Sequence, residues 1–237
     1  MSAASPATVP PSNASLRLLS VNVGRPSPIE GAGKSGKTGI FKRPVEGPVE
    51  ILSGGLAGDT ISDKENHGGS DQAVYVFGAP DYAWWSDELG RELAPGTFGE
   101  NLTVSDLEST RVCVGDRLGI GPVILEVTAP RVPCLTLAVR MADPAFLKRF
   151  RRAERPGVYC RVVRGGKVRA GDKVACAPYA GERVPVLEVF RAFFEGDPGE
   201  DVLRRQLSVP IAARARGAYE EQLAGLSADH TRTRSVS

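Results

Sequence analysis

Histidine is nearly missing from this chain of 237 residues: only His67 and His230 occur, and the four cysteines, at 113, 134, 160 and 176, never approach Cys-x-x-Cys spacing. A zinc centre built from clustered nitrogen and sulfur ligands is therefore not expected. No sign of charge dominates either, since 30 Lys and Arg face 28 Asp and Glu for a net +2. That balance gives no electrostatic case for nucleic acid as a partner. No apolar run is long enough to span a bilayer, and residues 1–15, rich in Ser, Ala and Pro, have neither a basic start nor an apolar stretch. The expectation is a cytoplasmic protein with reduced thiols and no membrane partner.

What the chain does have is turn chemistry, with 27 Gly and 18 Pro. Such punctuation predicts many short strands. Apolar, β-branched segments are read as strands at Leu16–Val23, Val49–Leu52, Ala73–Phe77, Asn101–Val104, Val112–Val114 and Val123–Thr128. Val158–Arg164 and Lys167–Val174 flank Gly165-Gly166, which predicts a hairpin with a two-residue turn. One helix interrupts the strands, because Tyr82, Trp85, Leu89 and Leu93 recur at helical spacing. A second, short one follows Asp143-Pro144, with the basic run Lys148–Arg155 on its solvated side. From about Val186 the pattern becomes helical, at Val186–Phe194, Gly199–Leu207 and Pro210–Leu226. The predicted organisation is a disordered tail at 1–15, a strand-rich body over 16–180, a helical extension over 181–226 and a loose tail at 227–237. The extension carries no catalytic cluster, so its expected role is packing, dimerisation or partner docking.

Residues 31–38, Gly-Ala-Gly-Lys-Ser-Gly-Lys-Thr, match the phosphate-loop pattern of nucleotide triphosphatases. A working phosphate loop needs a strand running into Gly31 and a helix opening at Lys37-Thr38. Here the strand ends near Val23, two prolines intervene, and Pro44 forbids a long helix after Thr38. Nucleotide hydrolysis is accordingly disfavoured, although Lys37 and Thr38 could still meet another phosphate.

Residues 130–134, Pro-Arg-Val-Pro-Cys, hold a cysteine in a segment stiffened by two prolines. Pro130 and Pro133 fix two φ angles and offer no N–H. Arg131 adds a positive charge, a neighbour that favours the thiolate. A thiolate is a soft ligand for a soft or high-valent metal, and magnesium or calcium would want oxygens.

In order, the chain presents Thr38-Gly-Ile-Phe-Lys-Arg-Pro-Val45, Gly47-Pro-Val49, Gly55-Leu-Ala-Gly-Asp59, Asp63, His67-Gly-Gly-Ser-Asp71, Ala73-Val74, Phe98-Gly-Glu-Asn-Leu102, Val114-Gly-Asp116 and Pro130-Arg-Val-Pro-Cys134. Over roughly Leu16–Pro178 this series resembles the molybdenum cofactor sulfurase C-terminal (MOSC) domain family, and within it the bacterial stand-alone branch that includes hydroxylaminopurine reductase. The resemblance implies a mainly β, α+β fold, a β-barrel-like domain with a small C-terminal three-helix extension. It implies a molybdopterin-type molybdenum cofactor with Cys134 as the protein ligand to the metal. It further implies reduction of an N-hydroxylated small molecule to an amine, with electrons from a separate flavin or haem protein.

Among the other motif residues, His67 would act as an acid toward the leaving oxygen or pin its glycine-rich turn, where Asp71 is also a candidate cofactor contact. Glu100 and Asn101 could meet the pterin or satisfy a buried turn. Lys42 and Arg131 are the preferred phosphate or cofactor contacts, with Thr38 and Lys37 as second choices. Asp59 and Asp116 follow glycines and read as turn formers, and Cys113, Cys160 and Cys176 read as packing. Gln72 stands where lysine is expected in many relatives, and Thr60–Ser62 lacks a polar pair, so the outer pocket departs from the pattern. The alternative to the reductase is a sulfur carrier or cofactor-delivery module that uses Cys134 as a persulfide or thiolate.

Overall fold

The computed structural model describes residues 16–31, 36–60, 68–195 and 198–234, with side chains as far as Leu226. His67, Asp63 and the segments 1–15 and 235–237 lie outside the described residues. In chain order the elements are β1 (Leu16–Val23), β2 (Ser27–Pro28), β3 (Lys37–Thr38), β4 (Arg43–Pro44), β5 (Val49–Leu52), β6 (Gly55–Leu56), β7 (Val74–Gly78), α1 (Ala79–Leu89), β8 (Leu102–Val104), β9 (Arg117–Ile120), β10 (Val123–Pro130), α2 (Leu135–Met141), α3 (Phe146–Ala153), β11 (Val158–Arg164), β12 (Gly166–Val168), β13 (Lys173–Ala177), α4 (Val186–Phe194), α5 (Gly199–Leu207) and α6 (Ala213–Arg234).

Seven of the strands form a closed barrel in the order β13-β9-β10-β11-β7-β8-β1, and the ring shuts where Leu16 of β1 pairs with Val174 of β13. Closure leaves no edge to pair with another chain. Every barrel pairing is antiparallel except β7 with β8, which α1 connects as a crossover. The interior is aliphatic, with Leu18, Val21, Val76, Leu102, Ile120, Leu125 and Val127 all buried. β10 is buried at every position because α4 packs against it from outside the barrel.

A second core lies outside the barrel and is aromatic. Trp85 of α1, Phe98, Phe146 and Phe150 of α3, and Phe190 of α4 are all buried there. Trp85 stacks on Phe150 with centroids 5.7 Å apart. Tyr82 and Trp85 lie on the predicted inner face of α1, and Gly90, left-handed at φ 62°, ends the helix. Leu93 is buried beyond that end.

Three local expectations are corrected. Gly165-Gly166 is not a hairpin turn: β11 pairs with β10 and β7, whereas β12 pairs with β5, Gly166 opposite Ile51. Glycine is needed there for close approach, since a Cβ at Gly166 would stand 2.7 Å from the Pro122 ring and one at Gly165 would stand 2.5 Å from the Ile51 carbonyl oxygen. Val112–Val114 makes only an isolated bridge, Cys113 with Pro185, because the Asp116 carboxylate takes the Cys113 N–H at 2.9 Å and turns the chain. The last helix starts at Ala213 and continues past Leu226 to Arg234.

The C-terminal helices are packed into the body. Val186 and Val189 of α4 join the aliphatic core and Phe190 joins the aromatic one. Lys37-Thr38 forms β3, paired with β2, and no helix follows Thr38. The strand-to-helix setting of a phosphate loop is thus missing at Lys37-Thr38. No helix among the described residues is long and apolar enough to cross a membrane.

Candidate functional site

β10 ends at Pro130, and the chain leaves the barrel through Arg131 and Val132 to Pro133 and Cys134, the residue that caps α2. Cys134 is extended, at φ −128° and ψ 165°, and its carbonyl accepts the Leu137 N–H at 2.9 Å. The helix anchors the residue from one side while the two prolines stiffen it from the other. Its side chain is partly exposed and packs beside the aromatic core.

Arg131 turns inward and is 5% exposed. Its Nη1 donates to the Phe98 carbonyl at 3.0 Å, and the guanidinium lies 5.1 Å from the Tyr75 ring centroid. Gly99 makes room for this arrangement, because at φ 76° it is left-handed and a Cβ would stand 2.8 Å from Ile40 Cγ1. Arg131 Nε has no hydrogen-bond partner among the described residues. Burial alone would lower the Arg131 pKa, but Tyr159, Tyr75, Cys134 and Glu100 together hold it above the ordinary value. A fixed cation is thereby kept next to the cysteine.

Behind Arg131 lies a buried polar layer. Glu100 is fully buried, and its Oε1 accepts the Gly96 N–H at 2.6 Å, the Tyr82 hydroxyl at 2.7 Å and the Thr103 hydroxyl at 2.9 Å. Burial pushes the Glu100 pKa up, and these donors hold it back. Asn101 accepts the Tyr75 N–H at 3.1 Å and donates to Asp59 Oδ2 at 2.8 Å. Asp59 also accepts the Gly24 N–H at 2.8 Å and forms a buried ion pair with Lys42. Desolvation lowers the Lys42 pKa, and Asp59 opposes that shift. Lys42, Asp59, Asn101 and Glu100 therefore lock the ends of β1, β7 and β8 together.

Of the sequence-predicted residues, Cys134, Arg131, Glu100, Asn101 and Lys42 belong to this one neighbourhood. The side chains of Lys42 and Asn101 and the Oε1 of Glu100 meet internal partners, while Glu100 Oε2 is buried without a hydrogen-bond partner among the described residues. Asp59 does more than form a turn, since three elements meet on its carboxylate. Thr38 is buried and its hydroxyl accepts the Ile40 N–H at 3.1 Å, which shapes the loop that packs against Gly99. Lys37 lies on β3 with an exposed side chain. Asp71 is held elsewhere, accepting the Ala213 N–H at 2.6 Å where α6 begins and pairing with Arg161 at 3.0 Å. Burial raises the pKa of Cys160 most strongly and of Cys176 to about 11, so both thiols are neutral packing groups.

Sequence reasoning missed α2 and with it Arg140, whose guanidinium lies 5.0 Å from the Phe41 ring centroid. Arg140 Nε has no hydrogen-bond partner among the described residues. The signal was the seven-residue stretch Leu135–Met141, too short and too apolar to show helical periodicity between Pro133 and Pro144. Among the described residues no three His, Cys, Asp or Glu side chains converge. A partly exposed soft sulfur beside a buried guanidinium with an unpaired Nε fits an anionic metal cofactor that brings its own remaining ligands.

The MOSC domain family model matches residues 63–175. The chain is 38% identical over 154 residues to the uncharacterized protein YflK of Bacillus subtilis (strain 168), covering 65% of this chain and 70% of that protein. It is 31% identical over 200 residues to a protein named Reductase from Gibberella moniliformis (strain M3125 / FGSC 7600), covering 82% of this chain but only 35% of that longer one. The crystal structure of YiiM from Geobacillus stearothermophilus superposes with a TM-score of 0.73 at 24% identity, covering 88% of this chain and 99% of that one.

Proposed function

Because the chain belongs to the MOSC domain family, we propose that it is a molybdenum cofactor-dependent reductase that converts N-hydroxylated compounds, such as hydroxylaminopurine-type bases, to amines. The observation that carries this reading is the placement of Cys134 at the rim of the aromatic core, with the buried Arg131 cation beside it. Support for the reductase class comes from the relative named Reductase.

When bound, the cofactor supplies two-electron chemistry at the nitrogen–oxygen bond. The overall change takes two electrons and two protons, breaks that bond, and gives the amine and water. Cys134 would hold the metal through its thiolate. Arg131 stabilises that anion and, through Nε, offers a donor to a further anionic group. Arg140, over Phe41, would be a second cation for the anionic part of the cofactor. Glu100, Asn101, Asp59 and Lys42 act by position, keeping Tyr75 and Phe98 where they receive Arg131. His67 is the acid proposed to give the departing oxygen its proton.

The test is metal and pterin analysis of the protein purified from cells that make the cofactor, beside its Cys134→Ser variant. Near-stoichiometric molybdenum and pterin, lost in the variant, is the expected result. Labile sulfur on Cys134 with no metal in the wild type would instead assign sulfur carriage.

A further inference from the structure

A reductase of this kind consumes two electrons per turnover, and one face of the molecule is suited to receive their carrier. α3 turns Phe146 and Phe150 inward and Lys148, Arg151 and Arg152 outward. Neither Lys148 nor Arg152 has an acidic partner among the described residues, and they stand one helical turn apart. Such a like-charge pair is unfavourable on a helix. The last-turn arginines complement the helix dipole, but Lys148, in the first turn, gains nothing from it. Arg149, by contrast, is engaged with Asp143 and Glu88.

Next to this face lies a pocket of about 240 Å³, between α3 and α4, lined by Arg151, Arg152, Phe190, Arg191, Phe194 and acidic groups. The acidic groups are Glu154, which is paired with Arg191, and Glu195. Arg151 lies 4.5 Å from the Phe194 ring centroid, and Phe193 beside it is 57% exposed. Arginines around a pocket, with an exposed aromatic ring beside it, are residue types that anchor protein interfaces. The pocket floor leads inward by packed rings. Phe190 and Phe150 are 6.4 Å apart, Phe150 and Phe98 6.3 Å, and the Phe98 carbonyl holds Arg131.

We infer that the outer face of α3, with the α3–α4 pocket, is the docking surface for an acidic flavoprotein that supplies the electrons. This rests on the reductase reading above. A reduced flavin holds both electrons that the nitrogen–oxygen cleavage consumes and is itself oxidised as it gives them up. Charge complementarity selects an acidic partner and speeds encounter. A second basic group, Lys167, Arg169 and Lys173, borders a separate pocket at β12 and β13. It shares no lining residue with the α3–α4 pocket and serves as an internal control.

The test uses purified flavodoxin as the acidic probe, with its affinity for the full chain measured by calorimetry alongside turnover driven by either reduced flavodoxin or reduced methyl viologen. The triple variant Lys148→Glu, Arg151→Glu, Arg152→Glu should weaken flavodoxin binding by about tenfold or more, and added salt should weaken wild-type binding progressively. Viologen-driven turnover in that variant, and flavodoxin binding in the Lys167→Glu, Lys173→Glu control, should stay within about twofold of wild type. The salt dependence requires no variant, so poor folding of the triple variant leaves the test intact. Wild-type binding that is undetectable, insensitive to salt or unchanged by the triple reversal overturns the docking surface. Wild-type protein without viologen-driven turnover would instead count against the reductase reading, and binding would still decide the surface.

Discussion

The two cores of this protein are built from different materials. The barrel interior is aliphatic, filled by Leu18, Val21, Leu102, Ile120 and Val127, and its strands close on themselves. The compartment beside it is aromatic and packs directly on Tyr75 and Phe77 of β7, with a group of buried charges at its margin. Aliphatic side chains fill a barrel without needing polar partners, so that core serves stability alone. The aromatic compartment instead carries a cation, a carboxylate and a thiol at its margin, and each must be held by specific partners. Chemistry is concentrated where the packing is most demanding.

The comparison breaks most sharply if the buried charges are unpaired. Asp59→Ala leaves Lys42 buried without its counter-ion and should cost about 3–5 kcal/mol in urea unfolding. A Lys42→Met, Asp59→Leu double variant should recover much of that loss, which would show a structural ion pair. Leu102→Ala in the barrel should cost about 2–5 kcal/mol, while cofactor content per folded molecule is unchanged. An equal fall in cofactor content would mean that the two cores are not separable.

Glu100 sharpens the comparison through pH. Its folded-state pKa is raised above the ordinary glutamate value, chiefly by burial, so the folded state binds the proton more tightly than the unfolded state does. The sign follows from linkage: this group's contribution is most favourable at low pH and is lost as pH rises through its raised folded value. Glu100→Gln should therefore flatten the decline of the urea midpoint above the ordinary glutamate range. An unchanged profile would mean that the carboxyl titrates normally.

The smallest effect on stability and the largest on function belong to the rim. Cys134→Ser should change unfolding free energy by less than about 1 kcal/mol, because the side chain is partly exposed, yet abolish metal retention. A variant that keeps its molybdenum would refute Cys134 as the ligand. His67→Ala should spare cofactor content and slow turnover, and a large loss of stability would assign it to holding its turn.

Much of the architecture was legible because its signals are local. Leu16–Val23 is apolar and alternates over its first half, and Val186–Phe194 and Gly199–Leu207 are bounded by turn residues. Gly165-Gly166 misled because a glycine pair looks the same whether it serves a turn or a close approach to Pro122 and Ile51, which are distant in the chain. α2 was invisible because seven residues between prolines show no period. In the site, Cys134 and Arg131 were conspicuous from the Pro-Arg-Val-Pro-Cys segment. Arg140 was not, since its position depends on that hidden helix.

By itself the amino-acid sequence determined most of the longer strands and helices and which cysteine is held stiffly beside an arginine, because these follow from periodicity, proline and residue type within a few positions. Only the tertiary structure decided that Arg131 points into the protein rather than to solvent, and that Lys42, Asn101 and Glu100 Oε1 meet internal partners. Those outcomes depend on Phe98, Tyr75, Asp59 and Gly24, distant positions that the pairing of β8 with β1 and β7 helps bring within reach.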